Sequence, residues 1–415
     1  MKIAGVKGMN DLLPGAVGRW QEMERVAREV FALYGYHEIR TPAVEQAALF
    51  SRGVGEATDI VKKEMYVFED KGEERLALRP EGTAGAVRAY IEHGCHVEGV
   101  QKWFYLGPMF RRERPQKGRY RQFHQIGCEC LGVAEPGIDV EQIAMLDDYL
   151  ARLGVHAELR LNSVGDASCR PAYLADLRRW LSDRKDRLCA DCNERIDRNP
   201  LRVLDCKVES CQPVLAGAPR LLDRLCEACR VHLDAVRAGL DALGIAHRID
   251  ARLVRGLDYY VRTAYEFSSD AIGAQSAVAG GGRYDGLVET LGGPATPGIG
   301  FALGQERLAL VLDAAGRPAP QTRPALFLVS ADAEGARAAL VWAGRLRRAG
   351  IACELDPRGG KLGRQFKQAE RVRARHAVVL GGDEVASGRA KLKDLDSRQE
   401  TPIALDELVA RLRVP

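Results

Sequence analysis

Nowhere does the chain approach about 18 consecutive apolar residues, the length a membrane-crossing helix needs, so no membrane partner is expected. Its start, MKIAGVKGMNDLLPG, lacks the sustained apolar stretch of a secretory signal, and a cytoplasmic protein is expected. Charge of one sign is missing too. With 61 basic and 57 acidic residues the net charge is only +4, so any RNA must be held by local patches rather than a global field. The glycine-rich stretch AGGGRYDGLVETLGG, residues 279–293, has neither the GxxxxGK[ST] spacing of a phosphate-cradling P-loop nor GxGxxG. That argues against a P-loop nucleotidase and a dinucleotide-binding fingerprint. Without a secretion signal, eleven cysteines point to thiols or metal rather than a disulfide scaffold.

What is present suggests two or three domains, since 415 residues exceed one typical core. The most distinctive stretch is GPMFRRERPQKGRYRQFHQIGCE, residues 107–129. Leu106, Met109 and Phe110 lead into a loop carrying Arg111, Arg112, Arg114, Lys117, Arg119 and Arg121, which Pro115 and Gly118 help to turn. Phe123, Ile126 and Cys128 then alternate around Gln125 and Glu129, as in a strand with one face toward a pocket. A solvated basic hairpin would read alike. Anion capture is the sharper reading, because an arginine fork matches phosphate geometry.

Elsewhere, Trp20, Met23, Ala27, Val30, Phe31 and Tyr34 predict an amphipathic helix over 17–34, ended by Gly35. YHEIRTP, 36–42, reads as a short strand, and 65–78 as a hairpin across EDKGEER. In LRPEGTAGAVRAY, 78–90, Glu81 and Thr83 fall at a strand-to-helix junction. The plainer reading there is a Thr83 helix cap beside a solvated Glu81. Cys189–Cys192 and Cys226–Cys229 are two CxxC pairs able to supply four thiolates to a structural zinc, with Cys206 a substitute for one of them. Reduced cysteines on helices are the alternative. LVRGLDYYVRTAYEF, 253–267, sets aromatics beside Arg255 and Asp258, as a buried core ion pair also would. The glycines of 279–293 would let backbone approach a small ligand, with Tyr284 toward the pocket. GIGFALGQERLAL predicts a strand, a turn at Gly304 and a helix with Arg307 in its first turn, a position that favours an anionic partner. Residues 313–325 have linker composition, and a small α/β domain follows. Its Lys361, Arg364, Lys367 and the run RAKLKDL could face RNA or solvent.

Taken in order, these segments resemble the motifs of class II aminoacyl-tRNA synthetases, specifically the histidyl-tRNA synthetase family, over almost the whole chain. The resemblance implies an α+β fold: a class II antiparallel sheet flanked by helices, a helical insertion and a carboxy-terminal α/β anticodon-binding domain. The implied division is 1–167 and 244–320 for the catalytic domain, 168–243 for the insertion and 321–415 for the anticodon-binding domain. It implies ATP-dependent joining of L-histidine to tRNA(His) through histidyl-adenylate, with Mg2+ accompanying ATP. Arg111 and Arg255 would lie at the α-phosphate and Arg307 at the γ-phosphate. Glu81 and Thr83 would hold the α-ammonium group, with Gln125, Glu129, Tyr259, Tyr260 and Tyr284 completing the histidine pocket. Arg114, Gln116, Lys117 and Arg119 would meet the tRNA acceptor end, and the helix and strand near 17–42 would build a homodimer. One departure stands out. The family commonly has an aliphatic residue where this chain has Gln305. The rivals are a regulatory, non-catalytic relative of the same fold, disfavoured by the three retained arginines, and a zinc-held binding scaffold, which leaves the motif-like segments unexplained.

Overall fold

The computed structural model describes residues 3–56, 58–273, 277–320 and 323–413. The chain forms two compact units, Met1–Ala319 and Pro320–Pro415. Residues 321 and 322 of the expected linker lie outside the described residues. No helix among the described residues is long and apolar enough to cross a membrane.

The first unit is built on an eight-stranded sheet ordered His37–Glu38, Gln101–Phe110, Gln122–Leu131, Gly298–Gly304, Ala277–Arg283, Val261–Ser268, Glu158–Ser163 and His247–Ile249. Pairing is antiparallel through its six central strands and parallel at the two edges. Strands Gln101–Phe110 and Gln122–Leu131 pair over their full length from Gln101↔Leu131 to Phe110↔Gln122, so the basic stretch is a hairpin loop. The hairpin expected at 65–78 also forms, as Tyr66–Glu69 and Arg75–Leu78, but joins Val44–Gln46 in a separate three-stranded sheet. Of YHEIRTP only His37–Glu38 is strand.

One sheet face is dry. Helix Pro14–Leu33 begins with proline, whose missing N–H costs nothing in a first turn, and its Met23, Ala27, Val30 and Phe31 are buried. Gly35, at φ +78°, takes the chain away from its end. Phe31 meets Phe104, Tyr149 and Phe301 at centroid separations of 5.5, 5.6 and 6.0 Å. Helices Gly137–Arg152, Glu227–Ala242 and Gln305–Ala314 add to the same core. A second core, under Leu177, Leu181, Ile196 and Leu215, runs on to Tyr260 and Ala264 at the sheet.

A charged cluster lies within this apolar packing. Arg283 and Asp139 are both fully buried, with Arg283 Nη2 2.6 Å from Asp139 Oδ2. Arg283 also donates to the Val133 carbonyl at 3.0 Å and the Glu135 carbonyl at 3.2 Å, and it pairs with Asp285 at 3.0 Å. His232 Nε2 lies 3.1 Å from Asp139 Oδ1. Burial works against charge on Asp139, yet His232 and Arg283 hold its carboxyl below the usual range.

The second unit is a five-stranded sheet ordered Cys353–Leu355, Leu326–Ser330, His376–Leu380, Arg389–Asp394 and Glu400–Ala404. Its first three strands are parallel, and the last two add antiparallel. Leu326 and Leu328 pack with Ala339, Ala343 and Leu346 of helix Ala333–Arg348, while Phe327 and Val329 pack with Ala369 of helix Leu362–Arg371. Period-two alternation thus places the helices on opposite faces. RAKLKDL, read as a charged run, is largely strand. Its Ala390 and Leu392 are buried, and Lys393 pairs with Glu400 across the hairpin at 3.2 Å.

Candidate active site

The other face of the large sheet holds the chemistry. Along Gln122–Leu131, Ile126, Cys128 and Cys130 point to the dry core, so by alternation Gln125, Gly127 and Glu129 point the opposite way. Glu129 is only 1% exposed. Its Oε1 accepts from the Thr83 hydroxyl at 2.7 Å and the Tyr105 hydroxyl at 3.0 Å, and its Oε2 accepts from the Tyr284 hydroxyl. Burial pushes its pKa up to about 8, although the Tyr284, Thr83 and Tyr105 hydroxyls pull the other way.

Glu81 and Thr83 invert the expected cap. Glu81 is buried and accepts from the backbone N–H groups of Thr83 at 2.7 Å and Ala84 at 2.9 Å, at the start of helix Thr83–Glu92. These are the donors a helix leaves unpaired at its beginning. Thr83 is thereby released to bond Glu129. Burial raises the Glu81 pKa, offset in part by those N–H groups.

The aromatics of 253–267 close the pocket. The Tyr259 ring lies 4.8 Å from Tyr260 and 5.6 Å from Tyr284 by centroid. Arg255 pairs with Glu266 at 3.0 Å, and its Nε is buried with no hydrogen-bond partner among the described residues. Burial opposes its charge, but the Tyr260 hydroxyl and Glu266 outweigh that. Glycines on strands Ala277–Arg283 and Gly298–Gly304 make room for these side chains. A Cβ on Gly280 would fall 2.3 Å from the Arg255 guanidinium, and one on Gly300 would fall 1.9 Å from Glu129 Oε2. Gln125 Oε1 is likewise buried without a hydrogen-bond partner among the described residues.

Three elements set the arginines. Arg111 Nε donates to the Pro80 carbonyl at 3.0 Å, and its guanidinium lies 5.3 Å from the Phe123 ring centroid. Arg307 stands in the first turn of helix Gln305–Ala314, as expected, and donates to the Ala277 carbonyl at 3.0 Å. Burial and the neighbouring Arg119 lower its pKa, which a phosphate would relieve. Beside it, Glu306 accepts from the His124 backbone N–H at 2.9 Å and lies 2.9 Å from His124 Nδ1, tying the hairpin to this helix. Gln305 is fully buried and neither polar atom of its amide has a hydrogen-bond partner among the described residues. An unpaired buried amide of this kind costs about 1–3 kcal/mol, which an aliphatic residue would avoid. At the loop tip the backbones of Gln116 and Arg119 exchange two hydrogen bonds around Gly118, at φ +75°, and Arg114, Gln116, Lys117 and Arg119 are exposed.

The zinc assignment needs correction. The two CxxC pairs do not converge. Cys189 and Cys192 meet Cys206 and Cys211, whereas Cys226 and Cys229 meet Asp166 and Cys169. The insertion folds each CxxC onto a different neighbour, a pairing that linear spacing does not encode. Tyr105 was also missed by sequence reasoning. It faces Gly127 across the hairpin, and a Cβ there would lie 2.4 Å from the Tyr105 ring. The glycine opposite it was the available signal.

A closed, hydroxyl-ringed carboxylate beside half-buried arginines suits a small cationic substrate joined to a phosphate. The sheet beneath, antiparallel at its centre with parallel edges and carrying a basic hairpin, is that of a class II aminoacyl-tRNA synthetase. Residues 8–308 match the family model for histidyl-tRNA synthetase, and 326–414 match that of an anticodon-binding domain. The chain belongs to the histidyl-tRNA synthetase family, and its activity is ATP-dependent joining of histidine to tRNA(His) through an adenylate. It is 77% identical over 412 residues to a histidine–tRNA ligase of Anaeromyxobacter dehalogenans, covering 99% of this chain and 100% of the relative. It is 49% identical over 406 residues to that of Geobacter metallireducens, covering 97% and 98%. The apo histidyl-tRNA synthetase structure from S. aureus superposes with a TM-score of 0.84 at 36% identity, covering 99% and 100%.

Proposed function

We propose that the pocket around Glu129 selects histidine by hydrogen bonding and that the arginines beside it carry the phosphate chemistry. The observation behind this is the convergence of Thr83, Tyr105 and Tyr284 hydroxyls on one buried carboxylate. A neutral imidazole offers one donor and one acceptor. Glu129 accepts its N–H, Tyr260 donates to its free nitrogen, and Gln125 adjusts to either group. Tyr259 packs against this set, while Glu81 and Thr83 take the α-ammonium. A site built this way rejects amino acids lacking the pattern far better than an apolar slot would.

ATP enters as its magnesium complex. The histidine carboxylate attacks the α-phosphorus, the bond to the bridging oxygen breaks, and pyrophosphate leaves. Arg111 and Arg255 hold the α-phosphate and Arg307 the γ-phosphate, so catalysis is positioning and charge stabilisation. The terminal ribose hydroxyl of the tRNA then attacks the histidyl carbonyl, a phosphate oxygen takes its proton, and AMP leaves. Arg114, Gln116, Lys117 and Arg119 meet the acceptor end, which their exposure on the hairpin tip supports. The reading extends to a cytoplasmic homodimer built through helix Pro14–Leu33 and edge strand His37–Glu38, to the four-part division at 167, 243 and 320, and to a structural zinc on Cys189, Cys192, Cys206 and Cys211. Four Sγ atoms within 4.8 Å of one another suit that ion.

Glu129→Gln tests the pocket. It is expected to raise the histidine concentration needed for ATP–pyrophosphate exchange, and to remove a pH dependence. With Glu129 pushed up to about 8, its ionised, accepting form grows as pH rises. Histidine affinity should therefore climb between roughly pH 7 and 9, above the imidazole's own titration. An unchanged histidine dependence in the variant would remove Glu129 from the assignment.

A further inference from the structure

We propose that Asp166, Cys169, Cys226 and Cys229 form a second site for a thiophilic divalent cation, zinc by ligand chemistry, separate from the cysteine quartet. The four ligand atoms lie within 4.8 Å of one another. Zinc–sulfur bonds of about 2.3 Å at tetrahedral angles set sulfurs about 3.8 Å apart, with a carboxylate oxygen about 3.6 Å from each. Cys169 and Cys229 Sγ are 3.9 Å apart, and both Cys169 Sγ and Cys226 Sγ are 3.8 Å from Asp166 Oδ1. Three of the six edges are thus close to the lengths a tetrahedral site sets, and the others are within 4.8 Å.

The backbone builds this cage. Gly165, at φ +63°, turns the chain after strand Glu158–Ser163, and a Cβ on it would fall 2.7 Å from Cys169 Sγ. Cys169 stands immediately before helix Arg170–Ser182, and Cys226 immediately before helix Glu227–Ala242 with Cys229 in its first turn. The Ser168 N–H donates to Asp166 Oδ1 at 2.9 Å, and Arg262 lies 3.5 Å from Oδ2, so the carboxylate is oriented from outside as metal-bound carboxylates are. A disulfide would use only two of the three thiols.

The place of the site explains its use. Asp166 and Cys169 lie where the chain enters the helical insertion, and Cys226 and Cys229 lie at the start of its last helix, Glu227–Ala242. One ion thus fastens the entrance to that helix. The fastened loop touches the pocket wall, because Arg170 donates to the Tyr260 carbonyl and the Arg262 N–H donates to the Gly165 carbonyl at 2.8 Å.

The test is metal stoichiometry of the full-length protein. Zinc-reconstituted, dialysed wild type is expected to hold about two ions per chain, with Cys229→Ser losing one and keeping the other. Cys206→Ser should lose the complementary one. Cobalt(II) titration of the metal-free wild type, followed by thiolate-to-cobalt absorption, should end at about two equivalents and decides the matter even if Cys229→Ser does not fold. An end point at none overturns the proposal, as does a single equivalent that Cys206→Ser abolishes, or a zinc content that Cys229→Ser leaves unchanged.

Discussion

Arg255→Ala is expected to slow histidyl-adenylate formation by about 10²–10³-fold at saturating histidine and ATP, the usual loss when one preorganised donor to a developing charge is removed. Arg255 is a partly buried cation that pairs with Glu266 at 3.0 Å and keeps its charge against burial through Tyr260 and Glu266. Arg255→Lys should recover only part of the rate, since an ammonium keeps the charge and loses the fork. Pyrophosphate exchange at saturation reads the effect. A loss under tenfold would make Arg255 a structural partner of Glu266 instead.

Asp139→Ala is expected to cost about 3–5 kcal/mol of stability, because it leaves the fully buried Arg283 with only the half-buried Asp285 as counter-charge and takes the carboxylate from His232. Urea unfolding read by tryptophan fluorescence would show it. Since the Asp139 carboxyl is held below its unfolded value, its contribution is complete above the ordinary aspartate range and disappears as pH falls through the lowered value. Wild type should therefore lose stability on acidification and the variant should lose less. A variant within 1 kcal/mol of wild type, roughly the worth of an exposed pair, would contradict the buried network.

Much of this architecture is legible in the chain because its signals are local. Helix Pro14–Leu33, the arginine hairpin and the Arg307 helix follow from periodicity and turn residues over short windows. That Thr83, Glu129 and Tyr284 meet was legible only through the resemblance. What escaped depends on contacts between distant segments. Glu81, not Thr83, satisfies the helix start because Glu129 competes for the Thr83 hydroxyl from another strand. The cysteines sort by how the insertion folds back on its own entrance, so Cys226 and Cys229 meet Asp166 and Cys169, some sixty residues earlier in the chain, rather than the other CxxC. The carboxy-terminal hairpin was hidden by lysines on its solvent side, although Ala390 and Leu392 keep the alternation.

The most direct test of the pocket is ATP–pyrophosphate exchange by the purified chain, without tRNA, with each amino acid supplied in turn. A carboxylate ringed by hydroxyls and tyrosines, reading one donor and one acceptor, predicts exchange with histidine alone. Comparable exchange with an amino acid lacking that hydrogen-bond pattern, or none with histidine from folded, metal-replete protein, would contradict it.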